Sequence, residues 1–145
     1  MALDIDDSTH AFIAGHRVAR LATADGYGRP SVVPVCYAFD SESLYSPIDE
    51  KPKAAEASRL KRVRNIEANP NVSLVIDDYS ENWAELQWVL ITGLAAIILP
   101  SRDGHEHARA VALLRDKYPQ YHSMAIDERM IIRITPTRVR RWSGR

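Results

Sequence analysis

Between Gln87 and Leu99 the chain runs as one long segment, mostly apolar and β-branched, with Thr92 and Gly93 near its middle. That length and the central glycine predict a strand that bends at a bulge, and therefore a curved sheet. The segment falls short of the roughly 20 apolar residues that a membrane span needs. Around it, Arg17 to Thr23 and Pro30 to Phe39 read as strands. The loop Ala24-Asp25-Gly26-Tyr27-Gly28-Arg29 joins them, its glycines supplying the positive φ of a hairpin turn. Leu44 to Ile48 and Val72 to Ile76 are further strands, and Met130 to Ile134 and Val139 to Trp142 close the chain, broken or bent at Pro136.

Helices fit three places. One spans Ser8 to Gly15, capped by Ser8 or Asp7, with Phe12 and Ile13 turned inward. A second starts near Pro52 and runs to about Ala68, where Asn69-Pro70 ends it. A third is capped by Ser101 and runs to about Lys117, with Ala110, Val111 and Leu114 as its apolar stripe and Arg115 off that face toward solvent. The strands and helices do not alternate as βαβ units, so the pattern predicts a mainly β chain: a small barrel of six or seven mostly antiparallel strands with flanking helices. With 145 residues, no repeat and no linker, one domain over residues 1–145 is expected. Neither G-x-G-x-x-G nor G-x-x-x-x-G-K-[ST] occurs, which argues against a dinucleotide fold and a P-loop.

Charge narrows the partners. Nineteen basic residues balance nineteen acidic ones, so no global field draws the chain to nucleic acid or membrane. The lone Cys36 excludes an internal disulfide and suits a reducing compartment, and the acidic start lacks a secretion signal. A soluble, cytoplasmic protein is expected.

The cations are nevertheless concentrated. Lys51, Lys53, Arg59, Lys61, Arg62 and Arg64 stand against only Glu50 and Glu56 in the same stretch. On a helix, Ala57, Leu60, Val63 and Ile66 or Glu67 form a buried stripe flanked by the arginine and lysine pairs. Guanidinium forks and ammonium point charges suit phosphates and carboxylates, while a plain solvated helix face explains the same charges without a ligand.

Several segments together resemble a known family. They are Ala19-Arg20-Leu21-Ala22-Thr23, Gly28-Arg29-Pro30, and Val33-Pro34-Val35 with Tyr37 and Phe39. Asp49-Glu50-Lys51-Pro52-Lys53, Leu60-Lys61-Arg62-Val63-Arg64-Asn65-Ile66 and Asn69-Pro70 follow. Trp83, Leu86-Gln87-Trp88-Val89 and the closing Arg141-Trp142-Ser143-Gly144 complete the set. In order and spacing the chain resembles the short members of the pyridoxamine 5′-phosphate oxidase-like superfamily, the FMN-binding split β-barrels, and in particular their F420-dependent oxidoreductase branch.

The resemblance implies a homodimer with coenzyme F420 (FMN as the alternative) at the subunit interface. It implies that Lys51, Lys53, Lys61, Arg62 and Arg64, with Asn65 beside them, take the phosphate and anionic tail. The strand with Pro34, Val35 and Cys36 would lie along the ring, and Gln87, Trp88 and Trp83 would reach a cofactor held mainly by the other copy. A hydride would pass between reduced F420 and a small unsaturated or quinone-like substrate, with the hard chemistry in the coenzyme. No residue is assigned as catalytic; Tyr37, Tyr79 and bulk water all stand as proton sources. The C-terminal arginine–histidine motif of pyridoxamine phosphate oxidases is missing, so oxidation of pyridoxine phosphate is not expected.

Other features have plainer readings. Cys36 in an apolar strand reads as a small buried hydrophobe rather than a nucleophile. His105 and His107, at i and i+2 on a helix, point apart, so no metal is expected. Trp83 and Trp88 also fit a core or dimer interface, and Arg138, Arg140 and Arg141 a solvated strand edge. Two function classes stay open: an F420-dependent reductase, and a protein that binds F420, FMN or a tetrapyrrole without chemistry.

Overall fold

The architecture comes from a computed structural model that describes residues 3–48 and 60–145. Strands β1 (Ala19–Ala24), β2 (Pro30–Val35), β3 (Ala38–Phe39), β4 (Leu44–Pro47), β5 (Asn71–Asp78), β6 (Gln87–Ile98) and β7 (Ile131–Ser143) form one sheet. Its order is β2-β1-β5-β6-β7-β4-β3 and every pairing is antiparallel. Curled into a half-barrel, it carries helices α1 (Asp7–Gly15), α2 (Lys61–Ala68) and α3 (Gly104–Lys117). The mainly β, antiparallel expectation holds. No helix among the described residues is long and apolar enough to cross a membrane.

The long strand bends as its glycine predicts, although the extra residue sits on the neighbouring strand. Thr92 faces Arg138 while Gly93 faces Pro136, which leaves Thr137 without an opposite number. Thr137 Oγ1 donates to the Thr92 carbonyl at 3.1 Å. Only glycine fits opposite, since a Cβ at position 93 would stand 2.5 Å from the Thr135 carbonyl oxygen. Pro136, which has no N–H to lose, sits at the irregularity and does not break the strand. The two closing segments are thus one strand.

Other boundaries shift for local reasons. The cap of α1 is Asp6, whose Oδ1 accepts the Thr9 amide at 2.7 Å, rather than Ser8 or Asp7. The cap of α3 is Asp103 rather than Ser101, and its Oδ2 accepts the Leu99 amide at 2.9 Å. In the β1–β2 hairpin only Gly28 takes positive φ, at 80°. Asp25 does the rest, accepting the Tyr27 and Arg29 amides at 2.9 and 3.0 Å. These bonds hold its carboxyl down at about 2, the Arg29 bonds contributing most. The strand expected from Pro30 to Phe39 stops at Val35 and resumes at Ala38. Arg115 bends back over the chain after α3, donating to the carbonyls of Tyr121 and Met124 and pairing with Asp127 at 3.0 Å.

The concave side of the sheet holds the main core. Leu21, Leu74, Ile76, Val89 and Ile91 meet Phe12 and Ile13 of α1 and Val63 and Ile66 of α2. Each such side chain contributes roughly 1.5–3 kcal/mol by leaving water. A second cluster lies under α3, where Ala110, Val111 and Leu114 pack on Ile98, Ile131 and Tyr45 from the other side of the sheet. The described residues leave the remainder of that convex side, over β2, β1, β5, β6 and β7, open.

Candidate functional site: a corner cleft beside an open sheet face

Register sorts the open side into rows. Pro34, Arg20, Val75, Leu90 and Arg140 stand opposite one another across β2, β1, β5, β6 and β7. Val32, Ala22, Ser73, Thr92 and Arg138 make the next row, and Asp77, Trp88 and Trp142 a third. Val32 is 64% exposed, Leu94 48% and Trp142 43%. Trp88 and Trp142 stack, with centroids 6.3 Å apart and planes 14° from parallel. Arg20 Nη1 lies 3.2 Å from Asp77 within this surface. Apolar groups thus alternate with charges on a face that none of the described residues covers. The signal was present in the sequence: Val75 between Leu74 and Ile76 makes a strand apolar on both faces, as expected of a strand covered twice.

At one corner of this face, where β1 begins and β2 ends, lies a cleft of about 260 Å³. Val18, Pro34 and Cys36 form its apolar walls, Ser46 and Pro47 at the end of β4 close one side, and Arg62 enters from α2. Sequence reasoning named Pro34, Val35, Cys36 and Arg62, and the fold does bring them together. It missed Val18, Ser46 and Pro47. Val18 is exposed just ahead of a buried strand residue, which is a usable signal; Ser46 and Pro47 arrive only through the β4–β7 pairing.

The basic segment divides. Lys51, Lys53 and Arg59, with the helical start near Pro52 and the stripe residue Ala57, lie outside the described residues. Within α2, Lys61 and Arg64 are exposed and Arg62 is half-buried toward the cleft. Asn65 turns the other way: it is 4% exposed and donates Nδ2 to Thr23 Oγ1 at 3.0 Å, tying α2 to β1. Its amide serves the fold and does not line the cleft.

Trp88 sits at the far end of the face, while Gln87, its neighbour on β6, points to the opposite side with Val89 and Ile91, near α1. Gln87 Oε1 accepts from Arg141 Nη2 at 3.1 Å, and Arg141 Nη1 reaches Ser8 Oγ at 2.7 Å. Gln87 and Arg141, with Asp78, Tyr79 and Glu85, border a second, polar cavity of about 580 Å³ that Trp88 does not line. Trp83 is 69% exposed on the turn before β6, apart from the stacked pair. Within one chain these residues and the corner cleft do not share a cavity.

Two proton sources separate clearly. Tyr37 is 1% exposed, donates its hydroxyl to the Ile13 carbonyl, and is pushed well above the ordinary tyrosine range by burial. A phenol so held does not exchange protons with a cleft. Tyr79 is 69% exposed at the polar cavity. Cys36 is half-buried at the cleft wall, more open than the buried hydrophobe expected. His107 is buried with Nε2 2.6 Å from the Arg129 carbonyl, while His105 is exposed. No metal-ligating cluster occurs among the described residues.

The donor set suits a planar ring bearing an anionic arm: apolar walls, a strand-end backbone, one hydroxyl and a guanidinium, next to more cations on α2. The cleft alone is below the roughly 300–1,000 Å³ of most cofactor pockets.

Comparison with known proteins agrees with this form. No curated protein matches the chain. Among solved structures, HutZ, the heme storage protein of Vibrio cholerae, is similar at 17% identity and TM-score 0.73, covering 97% of this chain and 95% of its own. An F420 reductase is similar at 21% and 0.64, covering 94% and 98%. A FAD-binding protein of Mesorhizobium loti is similar at 25% and 0.62, covering 92% and 89%. Proteins similar in fold thus include ones named for FAD, F420 and heme. The family model described as pyridoxamine 5′-phosphate oxidase matches residues 5–143, and the chain, an open-faced half-barrel with a cleft at its corner, belongs to that family.

Proposed function

We propose that this protein is an F420-dependent oxidoreductase that works as a homodimer, each cofactor lying between two copies. The observation that carries the reading is the corner cleft: an apolar slot with Arg62 in its wall, next to Lys61 and Arg64 of α2, at the edge of a sheet face of mixed apolar and charged groups that the described residues leave uncovered.

Each group has a task. Arg62, with Lys61 and Arg64 on the same helix and Lys51 and Lys53 before it, would hold phosphate and carboxylates. Val18 and Pro34 would pack on the ring system, and the backbone at Val35–Cys36 would bond its polar edge. The second copy would bring Gln87, Trp88 and Trp83 over the first copy's cleft and exclude water. The coenzyme, when bound, supplies a two-electron hydride donor or acceptor. The chain's work is then to bind, orient and dry the site. Tyr79 or solvent would provide any proton the substrate needs, since Tyr37 is committed to Ile13.

FMN in the same cleft is the second reading, favoured by the similarity to the FAD-binding protein. A non-catalytic carrier of F420, FMN or a tetrapyrrole is the third, favoured by the similarity to a heme storage protein. Fluorescence titration with F420 and with FMN, alongside absorbance titration with heme, separates them. The proposal predicts micromolar or tighter F420 binding and weaker FMN binding, followed by turnover with a panel of unsaturated and quinone acceptors. Tight binding of FMN or heme alone would overturn it.

A further inference from the structure

The cleft walls end on strands whose backbone is held by side chains from the opposite end of the sequence. Between β2 and β3 the chain leaves the ladder at Cys36–Tyr37, in a place where Tyr37 is buried. Backbone groups there cannot turn to water and need partners. The Tyr118 hydroxyl accepts the Tyr37 amide at 3.1 Å. Its own hydrogen lies between the carbonyls of Arg17 at 2.7 Å and Tyr37 at 2.9 Å. Lys117 Nζ donates to the Tyr37 carbonyl at 3.0 Å and to the His16 carbonyl. Arg17 answers by donating to the Lys117 carbonyl at 2.7 Å. Lys117 Nζ also stands 4.0 Å from the centre of the Tyr37 ring.

Each clamped peptide is next in sequence to a cleft wall. Val18 follows His16–Arg17, and Cys36 precedes Tyr37; both line the cleft. Two residues at the end of α3 therefore tie the start of β1 to the end of β2. We infer that Lys117 and Tyr118 are positioning residues for the corner cleft, setting the separation of the Val18 and Cys36 walls and the register of the Val35–Cys36 backbone toward the ligand. Where that ligand is a flavin or deazaflavin, the inference rests on the function proposed above.

A role confined to stability would lower the melting temperature and nothing else. The positioning role has two further readouts, one of which needs no cofactor. Cys36 is the chain's one cysteine. Because Lys117 and Tyr118 also act on its thiol, the alkylation rate is taken as that of a bulky N-aryl iodoacetamide relative to iodoacetamide itself. In that ratio a change of thiol reactivity cancels and a change of cleft width does not. Tyr118→Phe removes only the hydroxyl, and Lys117→Met keeps the aliphatic stem while removing the donor; one serves if the other does not fold. In the folded variant, the alkylation rate is expected to change by about threefold or more, and F420 or FMN affinity to fall by about fivefold. A lower melting temperature with alkylation rate and affinity both unchanged would overturn the inference. If the unaltered protein binds neither cofactor, the cofactor reading fails, yet a changed Cys36 rate would still support the clamp and an unchanged one would still refute it.

Discussion

The two sides of the β5–β6 region are made of similar residues and meet different fates. On the concave side Leu74, Ile76, Val89 and Ile91 are at most 1% exposed, packed beneath α1 and α2. On the convex side Val75, Leu90 and Trp88, drawn from the same strands, stay partly exposed and face charges such as Arg140. One side satisfies its apolar surface within the chain, and the other is left uncovered by the described residues. On the proposed function, the closed face holds the fold together and the other is available for binding, with the cleft at its corner lined by Arg62 of α2.

The largest expected difference lies in stability. Leu74→Ala should cost about 2–5 kcal/mol in urea unfolding, since it empties a packed position. Leu90→Asp, one strand away on the open face, should leave the fold intact. Its effect should appear in sedimentation, with dimer dissociation strengthened by about tenfold or more, roughly 1.4 kcal/mol. If Leu90→Asp unfolds the chain as Leu74→Ala does, the two faces are not divided as described.

The next effect concerns the basic segment from Lys51 to Arg64, a cationic rail for the anionic arm on the proposed function. Lys53→Ala combined with Arg62→Ala should weaken F420 binding by about tenfold, roughly 1.4 kcal/mol, without unfolding the protein. Equal affinity in an isothermal titration would remove the rail from the account.

A further effect is a pH dependence at the clamp. Burial, reinforced by the nearby Arg17, lowers the Lys117 amine from 10.5 to about 8, while Cys36 acts in the opposite sense. Tyr37 and Tyr118 are the other titratable groups against it, and burial raises both. A folded state that gives up this proton more readily than the unfolded chain gains stability as pH rises from about 8 toward 10.5, and loses that gain as pH falls back through about 8. Urea unfolding of the unaltered protein relative to Lys117→Met should show that slope, and a flat difference over the interval would contradict it.

Legibility followed range. The bulge near Gly93, the inward pair Phe12 and Ile13, and the Ala110–Val111–Leu114 stripe rest on spacing within one element, and all were readable. The caps of α1 and α3 were misplaced because several hydroxyls and carboxylates crowd each start, and only geometry picks Asp6 and Asp103. Pro34, Cys36 and Arg62 were grouped through family resemblance, and the fold places them around one cleft. Asn65 looked like one more polar member of the basic run, but its amide is spent on Thr23, across the gap between α2 and β1. The clamp left no local trace: Lys117 ends a surface-looking helix, and its partners Tyr37 and His16 lie far away in sequence.

The central claim is that one cofactor site draws Arg62 from one copy and Trp88 from the other. Mixed-dimer complementation tests it most directly. Arg62→Ala and Trp88→Ala chains are unfolded together, refolded, and titrated with F420 beside each variant refolded alone. The account predicts weak binding for each variant and, in the mixture, roughly a quarter of the sites restored to unaltered affinity, because half the dimers would be mixed and each would hold one intact site. Dimeric mixtures that recover no sites would show that each chain builds its site alone.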